Sequence, residues 1–493
     1  MKKILLLTLL LLFAMTLQAQ WMQIGEDIDG ETEGENSGRV SLSSDGSIVA
    51  IGAQQNDDNG SAAGQVRVYQ NLDETWVQLG NDLNGEDEIN FFGQSVSLSD
   101  DGSILAVGAH YNDGNGEESG HVRVFKYEAD EWVQMGIDID GEAAFDHFGW
   151  VVSLSADGSI LAIGAILNDG NGVDAGHVRV FQFEGGDWVQ IGDDIDGENA
   201  RDEFGRDISL SADGTILAIS ATTNDDNGEN AGHTRIFKFE EGTWNQLGAN
   251  IDGDAGDFSG GSIGLNFDGT IIAIGASQNS HEAGVVRVFQ YSDEEWVQFG
   301  EDIIGENIED YSGSHLSISE DGFIVAIGAL GNDDNGDRAG HVRVFQYDID
   351  TWIQIGSDID GEAAIDISST SLDLSADGSI VAIGATLNDG INGDNSGHVR
   401  VYKNSVLGIL ENNIDELFIL YPNPTNGIVN LLLNNLKESI SISIIDITGK
   451  KLYQLNNINQ NNLQLPTSSL SNGVYLVIIQ TKTQQKTLKL IKQ

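Results

Sequence analysis

Seven tryptophans recur at nearly one interval, Trp21, Trp76, Trp132, Trp188, Trp244, Trp296 and Trp352, with gaps of 55, 56, 56, 56, 52 and 56 residues. Only Trp150 lies outside the series. Around them the chain repeats one phrase: W-V-Q-x-G, D-I-D-G-E, F-G, S-L-S-A-D-G-S-I-L-A-I-G-A, N-D-G-N-G and A-G-H-V-R-V-F. A period of this length means units that bury their apolar faces only against one another. Each unit offers four short runs rich in Val, Ile, Leu and Phe, bounded by Gly, Asn and Asp, such as 94–98, 103–109, 121–125 and 132–135. Asp-Gly pairs from Asp45-Gly46 to Asp377-Gly378 fall between the first two runs and predict hairpins with tight primed turns. Seven four-stranded units predict an all-β chain built on a seven-bladed β-propeller. Trp21 opens the series at a fourth-strand position, whereas the last copy stops after its third strand, at Val399 to Tyr402. The Trp21 strand is therefore expected to complete the last blade and leave no open sheet edge.

The net charge of −55 is unevenly divided. Residues 20–402 carry 13 Lys+Arg against 73 Asp+Glu, and residues 403–493 carry 8 against 5, together with all three prolines. This shift predicts a propeller over 20–403, a linker over 404–417 and a C-terminal domain over 418–493. So acidic a propeller excludes nucleic acid and anionic membrane as partners, since phosphate binding needs clustered Lys and Arg. Lys2, Lys3, the apolar run Ile4 to Phe13 and Leu17-Gln18-Ala19 read as a signal peptide over 1–19. No later stretch approaches the roughly 20 apolar residues of a membrane helix, so no span is expected in the mature chain. With no cysteine there is neither a disulfide nor a lipidated N-terminal Cys.

Phe148-Gly149 with Gly164-Ala165, Phe92-Gly93 with Gly108-Ala109, and Phe204-Gly205 resemble FG-GAP repeats, the blades of integrin α-subunit propellers. The resemblance runs from Trp21 to Tyr402, although Asn36-Ser37, Phe258-Ser259, Tyr311-Ser312 and Ile367-Ser368 replace F-G, and Ser220-Ala221 replaces G-A. It implies calcium in a D-x-D-x-D-G hairpin loop, but each hairpin here keeps one Asp before Gly, as at Asp157, so that site does not carry over. Further on, strand-like runs at 428–433, 440–445, 473–480 and 487–491 predict a small Ig-like β-sandwich. Y-P-N-P-T-N-G at Tyr421 to Gly427, I-I-D-I-T-G-K-K-L-Y at Ile444 to Tyr453, N-G-V-Y-L-V at Asn472 to Val477 and the terminal K-L-I-K resemble the type A sorting domain of the type IX secretion system. That resemblance implies a Bacteroidetes-type cell, the type IX machinery as partner, and an extracellular or outer-membrane surface location.

Carboxylates gather in the loops after G-A, at Asp57, Asp58, Asp113, Asp169, Asp225, Asp226, Asp333, Asp334 and Asp389, and again in D-I-D-G-E, as at Asp138, Asp140 and Glu142. Calcium takes six to eight oxygens from Gly-containing loops of this kind, yet Asn, Asp and Gly are also the ordinary turn formers. Both readings of these loops stand, with calcium the one candidate cofactor. Arg67, Arg123, Arg179, Arg235, Arg287, Arg343 and Arg400 occupy every third strand and are expected to pair with a repeated Asp and cross-link blades. His121, His177, His233, His341 and His398 precede five of them and read as structural. The chain has no G-x-S-x-G, H-E-x-x-H or P-loop signature. Residues that break the repeat are thus the binding candidates: His110, Tyr111, His147, Trp150, Arg201, Arg206 and Arg338, with His147, Trp150 and Arg206 foremost. The leading expectation is a secreted or cell-surface binding or adhesion protein that recognises a glycan or protein. A polysaccharide-active hydrolase or lyase and a passive acidic coat protein are the alternatives.

Overall fold

The computed structural model describes residues 20–279 and 283–404, and beyond them 418–421, 429–433, 440–446, 450–458, 462–465, 467, 470–471, 473–480 and 485–492. The signal peptide, Ser280-His281 in the fifth repeat, linker residues 405–417 and the Pro422 to Gly427 part of the sorting motif lie outside the described residues. The chain divides into two compact units, 1–405 and 406–493.

The first unit is a ring of seven antiparallel sheets. Blade 3 shows the plan: Phe148–Leu154 pairs with Ile160–Ala165, which pairs with His177–Glu184, whose far edge carries Asp187–Gln190 and then Ile195–Asp196. The sequence pattern predicted four strands, and the fifth is the D-I-D segment. An eight-residue third strand is twice as long as the Trp strand, so a second short strand covers the rest of its edge, with His177 opposite Asp196. Blade 7 combines both ends of the ring, with Trp21 opposite Asn404, Gln23 opposite Tyr402 and Asp29 opposite His398.

Second-strand residues such as Leu161, Ile163 and Ala165 are fully buried because each blade packs on both faces. The F-G and G-A dipeptides meet across these interfaces. A Cβ on Gly108 of G-A would lie 2.1 Å from the carbonyl oxygen of Gly149, in the F-G of the next blade. At blade 4 Ser220 replaces that glycine and the following blade answers with Gly260-Gly261; a Cβ on Gly260 would lie 2.6 Å from that of Ser220.

Two hydrogen-bonded rings close the propeller. Near the axis, one backbone N–H per blade donates to the next blade's carbonyl: Ser44 to Asp100, on through Ala156, Ala212, Phe267, Glu320 and Ala376, and back to Ser44, all at 2.8–3.0 Å. At the rim, each repeated Trp donates its indole N–H to the preceding blade, as Trp188 does to Met135 O at 2.8 Å and Trp76 to Ile24 O at 2.9 Å. Trp21 completes this outer ring by donating to Ile355 O at 3.0 Å. The regular spacing of the tryptophans follows from this shared contact.

The Asp-Gly hairpins differ from expectation in turn type. Gly158 has φ +68° and donates to Ser155 O at 2.8 Å, but Asp157 is not in the left-handed region. This is a type I turn over Ala156-Asp157 followed by a left-handed Gly, because either primed turn would need φ > 0 at its first central residue. The Asp157 carboxylate accepts from Ser155 Oγ and Ser159 N, each at 2.9 Å.

The second unit contains two sheets. One pairs Phe418–Tyr421, Val429–Leu433 and Asn462–Leu465; the other orders Lys451–Ile458, Ile440–Asp446, Gly473–Gln480 and Gln485–Lys492. Leu431 and Leu465 from the first meet Ile442, Ile444, Val477 and Leu490 from the second in one core, which makes it a small β-sandwich.

Candidate ligand site at one end of the propeller axis

The first strands are innermost, and just before each of them the backbone turns left-handed twice. The second of these positions holds Asn36, Phe91, His147, Glu203, Phe258, Tyr311 and Ile367, with φ from 49° to 56°. Non-glycine residues there are uncommon, and such strain concentrates at functional sites.

The Asx-rich loops hold this column in place. Asp113 Oδ1 accepts the Glu118 N–H at 2.7 Å, and the Glu118 carbonyl then accepts the His147 N–H at 3.2 Å. The same relay runs from Asp57 through Ala62 to Phe91, and from Asp169 through Asp174 to Glu203. Asp225, Asp333 and Asp389 hold Asn230, Arg338 and Asn395 in the same way. Asp58 instead accepts from Gln65 Nε2 at 3.1 Å. Of the nine loop aspartates, only Asp226 and Asp334 join a group of three or more His, Asp or Glu ligands among the described residues.

Sequence reading missed a second acidic column, the buried Asp146, Asp202, Asp257, Asp310 and Asp366, two residues before the F-G position, which in the drifted copies falls at Ser37-Gly38, Ser259-Gly260, Ser312-Gly313 and Ser368-Ser369, one residue later than the sequence pattern suggests. Asp146 Oδ2 accepts from Ala143 N at 3.1 Å and Asn168 Nδ2 at 3.0 Å, which ties the F-G loop to the Asx loop of its own blade.

Five of the seven repeat-breaking residues converge. The His110 ring lies 4.4 Å from Tyr111, 5.7 Å from His147 and 5.1 Å from Trp150, centroid to centroid. The Arg206 guanidinium covers Trp150 at 4.8 Å and lies 3.9 Å from Glu203. His147 Nε2 meets Glu118 Oε2 at 3.1 Å, and Phe91 adds a ring 5.1 Å from Tyr111. His110 and His147 are buried, while Tyr111, Trp150 and Arg206 are partly exposed. Arg201 is exposed and Arg338 serves its own loop, so neither belongs to the cluster.

Below this cluster the innermost strands carry Arg39, Ser95, Val151, Asp207, Ser262, His315 and Ser371 at one level. Arg39 Nη1 donates to Thr370 O at 2.9 Å. Burial, with Arg39 nearby, holds both His110 and His315 at about 3, so both imidazoles are neutral at pH 7. Burial pushes Asp207 up to about 7 and, one level further in, Asp373 up to about 6. Solvent reaches these inner side chains in part, but the strands around them enclose the carboxylates, and enclosure governs their titration.

Asp373 stands where five other blades have Ser and blade 5 has Gly264, and its Oδ2 accepts Leu42 N at 2.8 Å as Ser97 Oγ accepts Leu154 N. Its raised pKa means that the folded state favours the proton, so the residue weakens the fold as pH rises from about 4 through 6. Asp373→Ser is expected to raise stability at pH 8 by on the order of 2 kcal/mol and to give no gain at pH 4. Melting temperatures at the two pH values check this.

The third-strand arginines pair mainly with Glu rather than the expected Asp. Arg123 meets Glu86 at 3.6 Å and Arg179 meets Glu142 at 3.7 Å, in each case the last residue of the preceding blade's D-I-D-G-E or its equivalent. That position lies nearest the next blade, and Glu has the extra methylene to reach it. Among the described residues only Arg287 takes aspartates, Asp257 at 3.5 Å and Asp302 at 3.2 Å. Arg123 and Arg179 also lie 4.3 Å from the rings of Phe92 and Phe148, so they form no free anion-binding ring. Burial, with the adjoining arginine, holds His121, His177 and His398 at about 4.

The fold and this axial cluster define a single-chain seven-bladed β-propeller. Residues 82–125, 137–181 and 195–237 match the FG-GAP repeat family, and residues 419–493 match the secretion system C-terminal sorting domain. The protein thus carries FG-GAP repeats and a sorting tail that marks it for export by the type IX system to the cell surface or extracellular space of Bacteroidetes. No curated protein matches the chain. Raptor from Chaetomium thermophilum is 12% identical with a TM-score of 0.50, over 79% of this chain and 29% of Raptor. A 6-phosphogluconolactonase-like crystal structure from Bacteroides uniformis is 14% identical with a TM-score of 0.47, over 65% of this chain and 84% of that one. The Dos1 propeller is 14% identical with a TM-score of 0.44, over 78% of this chain and 96% of its own. At these identities the likeness concerns fold alone. No helix among the described residues is long and apolar enough to cross a membrane.

Proposed function

We propose that the protein is a surface-displayed binding propeller that takes a glycan at the Trp150 end of its axis. One observation carries the reading: His110, Tyr111, His147, Trp150 and Arg206 come from the segments around the F-G and G-A motifs of three consecutive blades, yet meet in one partly exposed cluster. Scaffold contacts recur in every blade, whereas a ligand needs a unique constellation. Partly exposed aromatic rings offer stacking faces, and Arg206 with Glu118 offers a donor and an acceptor at the rim.

The test is a glycan array probed with the full exported chain and with Trp150→Ala and Arg206→Ala. Each substitution is expected to weaken binding at least tenfold while leaving the melting temperature within about 2 °C. Equal binding by all three proteins rejects the site. The His147–Glu118 pair supports a second reading, general-base chemistry on a polysaccharide. Release of shortened chains from a bound polysaccharide, lost in His147→Ala, would favour that reading over simple binding.

A further inference from the structure

At five blade junctions a third-strand histidine faces carboxylates from its own blade and from the one before it. The fullest set is Glu306, Asp334, His341 and Asp358, whose ligand atoms all lie within 4.8 Å of one another. Glu306 arrives from the end of blade 5; the other three belong to blade 6. A second observation is independent of the acids. His341 is 0% exposed, and neither its Nδ1 nor its Nε2 has a hydrogen-bond partner among the described residues. Leaving a buried polar atom unpaired costs about 1–3 kcal/mol. His233 repeats the arrangement with both nitrogens unpartnered, and His121 and His177 each leave Nε2 without one.

We infer that Glu306, Asp334, His341 and Asp358 form a site for a divalent transition cation of the zinc class, which ties blade 5 to blade 6. One imidazole nitrogen with carboxylate oxygens suits such an ion, which binds them at about 2.0–2.2 Å. The shell must contract by up to about an ångström from its present spacing. Three carboxylates face a single cation, Arg343, whose Nη1 lies 3.6 Å from Glu306 Oε1, so a divalent ion balances the remaining charge. The set is separate from the Asp-Gly hairpin where the repeat family's calcium would lie. Two junctions serve as internal controls, because Gln65 and Val285 occupy the histidine position there.

The test uses the full exported chain, freed of metal by chelator and titrated with Co²⁺ as a visible probe. Tetrahedral Co²⁺ absorbs far more strongly than the hexahydrate-like ion held loosely by surface carboxylates. Wild type is expected to develop the band with saturable affinity, and His341→Gln to lose its tightest phase by at least tenfold. Blade 1 accepts Gln at this position, so the variant retains a side chain the fold accommodates. Asp334→Asn, on an exposed loop, is expected to weaken the same phase several-fold. Zn²⁺ should abolish the band by competition, and calcium should not. The inference fails if wild type and both variants titrate alike, or if only a weak, unsaturable carboxylate background appears.

Discussion

A chain beginning at Gly30, without residues 20–29, is expected to melt about 10 °C lower than the full propeller and to self-associate. Those residues supply the outer edge of blade 7, with Trp21 and Ile28 at 7% and 6% exposure. Burying two such side chains contributes roughly 1.5–3 kcal/mol each. Removing them also breaks the Trp21 indole bond to Ile355 O at 3.0 Å and leaves His398–Asn404 as an open edge. An unpaired strand of that length invites pairing with a second copy. Calorimetry and size-exclusion chromatography provide the measurements. A peptide spanning 20–29 should restore the monomer and much of the melting temperature. An unchanged melting temperature with a monomeric profile would show that the ring does not depend on this closure.

Gly108→Val is expected to have the second large effect, a loss of roughly 3 kcal/mol or more. The new Cβ would lie 2.1 Å from Gly149 O and 2.5 Å from Ser95 Oγ. Backbone cannot rotate away as a side-chain tip can, so blades 2 and 3 must separate at the F-G contact. Gly34→Ala provides the contrast: it meets nothing within 4 Å, and only its φ of +80° opposes the change. A cost of about 1 kcal/mol is expected there. Chemical denaturation of the two variants separates crowding from backbone strain, and equal losses would reject the interlocking role of G-A.

The tryptophan interval revealed the ring because each indole meets the same carbonyl one blade away, so its spacing equals the repeat itself. Trp150 and Arg206 were visible as breaks in that rhythm, but nothing local in the sequence shows that they stack. The glutamate of D-I-D-G-E was harder to place. Glu142 meets Arg179 and His177 across a blade junction, where Asp140 offers Arg179 only its backbone carbonyl, whereas Asp138 faces His121 of its own blade. The left-handed column gave no signal either. Phe91 and Ile367 are poor left-handed formers, and long-range bonds from the preceding blade impose the conformation where local preference would refuse it. In the second unit, Lys451–Ile458 alternates apolar with Lys, Gln and Asn too loosely to stand out as a strand before its pairing partner is known.

The left-handed column has a consequence for how specificity can change. Asn, Phe, His, Glu, Phe, Tyr and Ile occupy it in turn, all within a few degrees of one backbone geometry. At six of them, all but Tyr311, the Asx loop behind the residue sets the conformation through backbone bonds, so it does not depend on which side chain is present. These six positions therefore behave as interchangeable slots around a fixed frame. A new recognition surface could be written by exchanging slot residues alone, while the rings that close the propeller stay as they are.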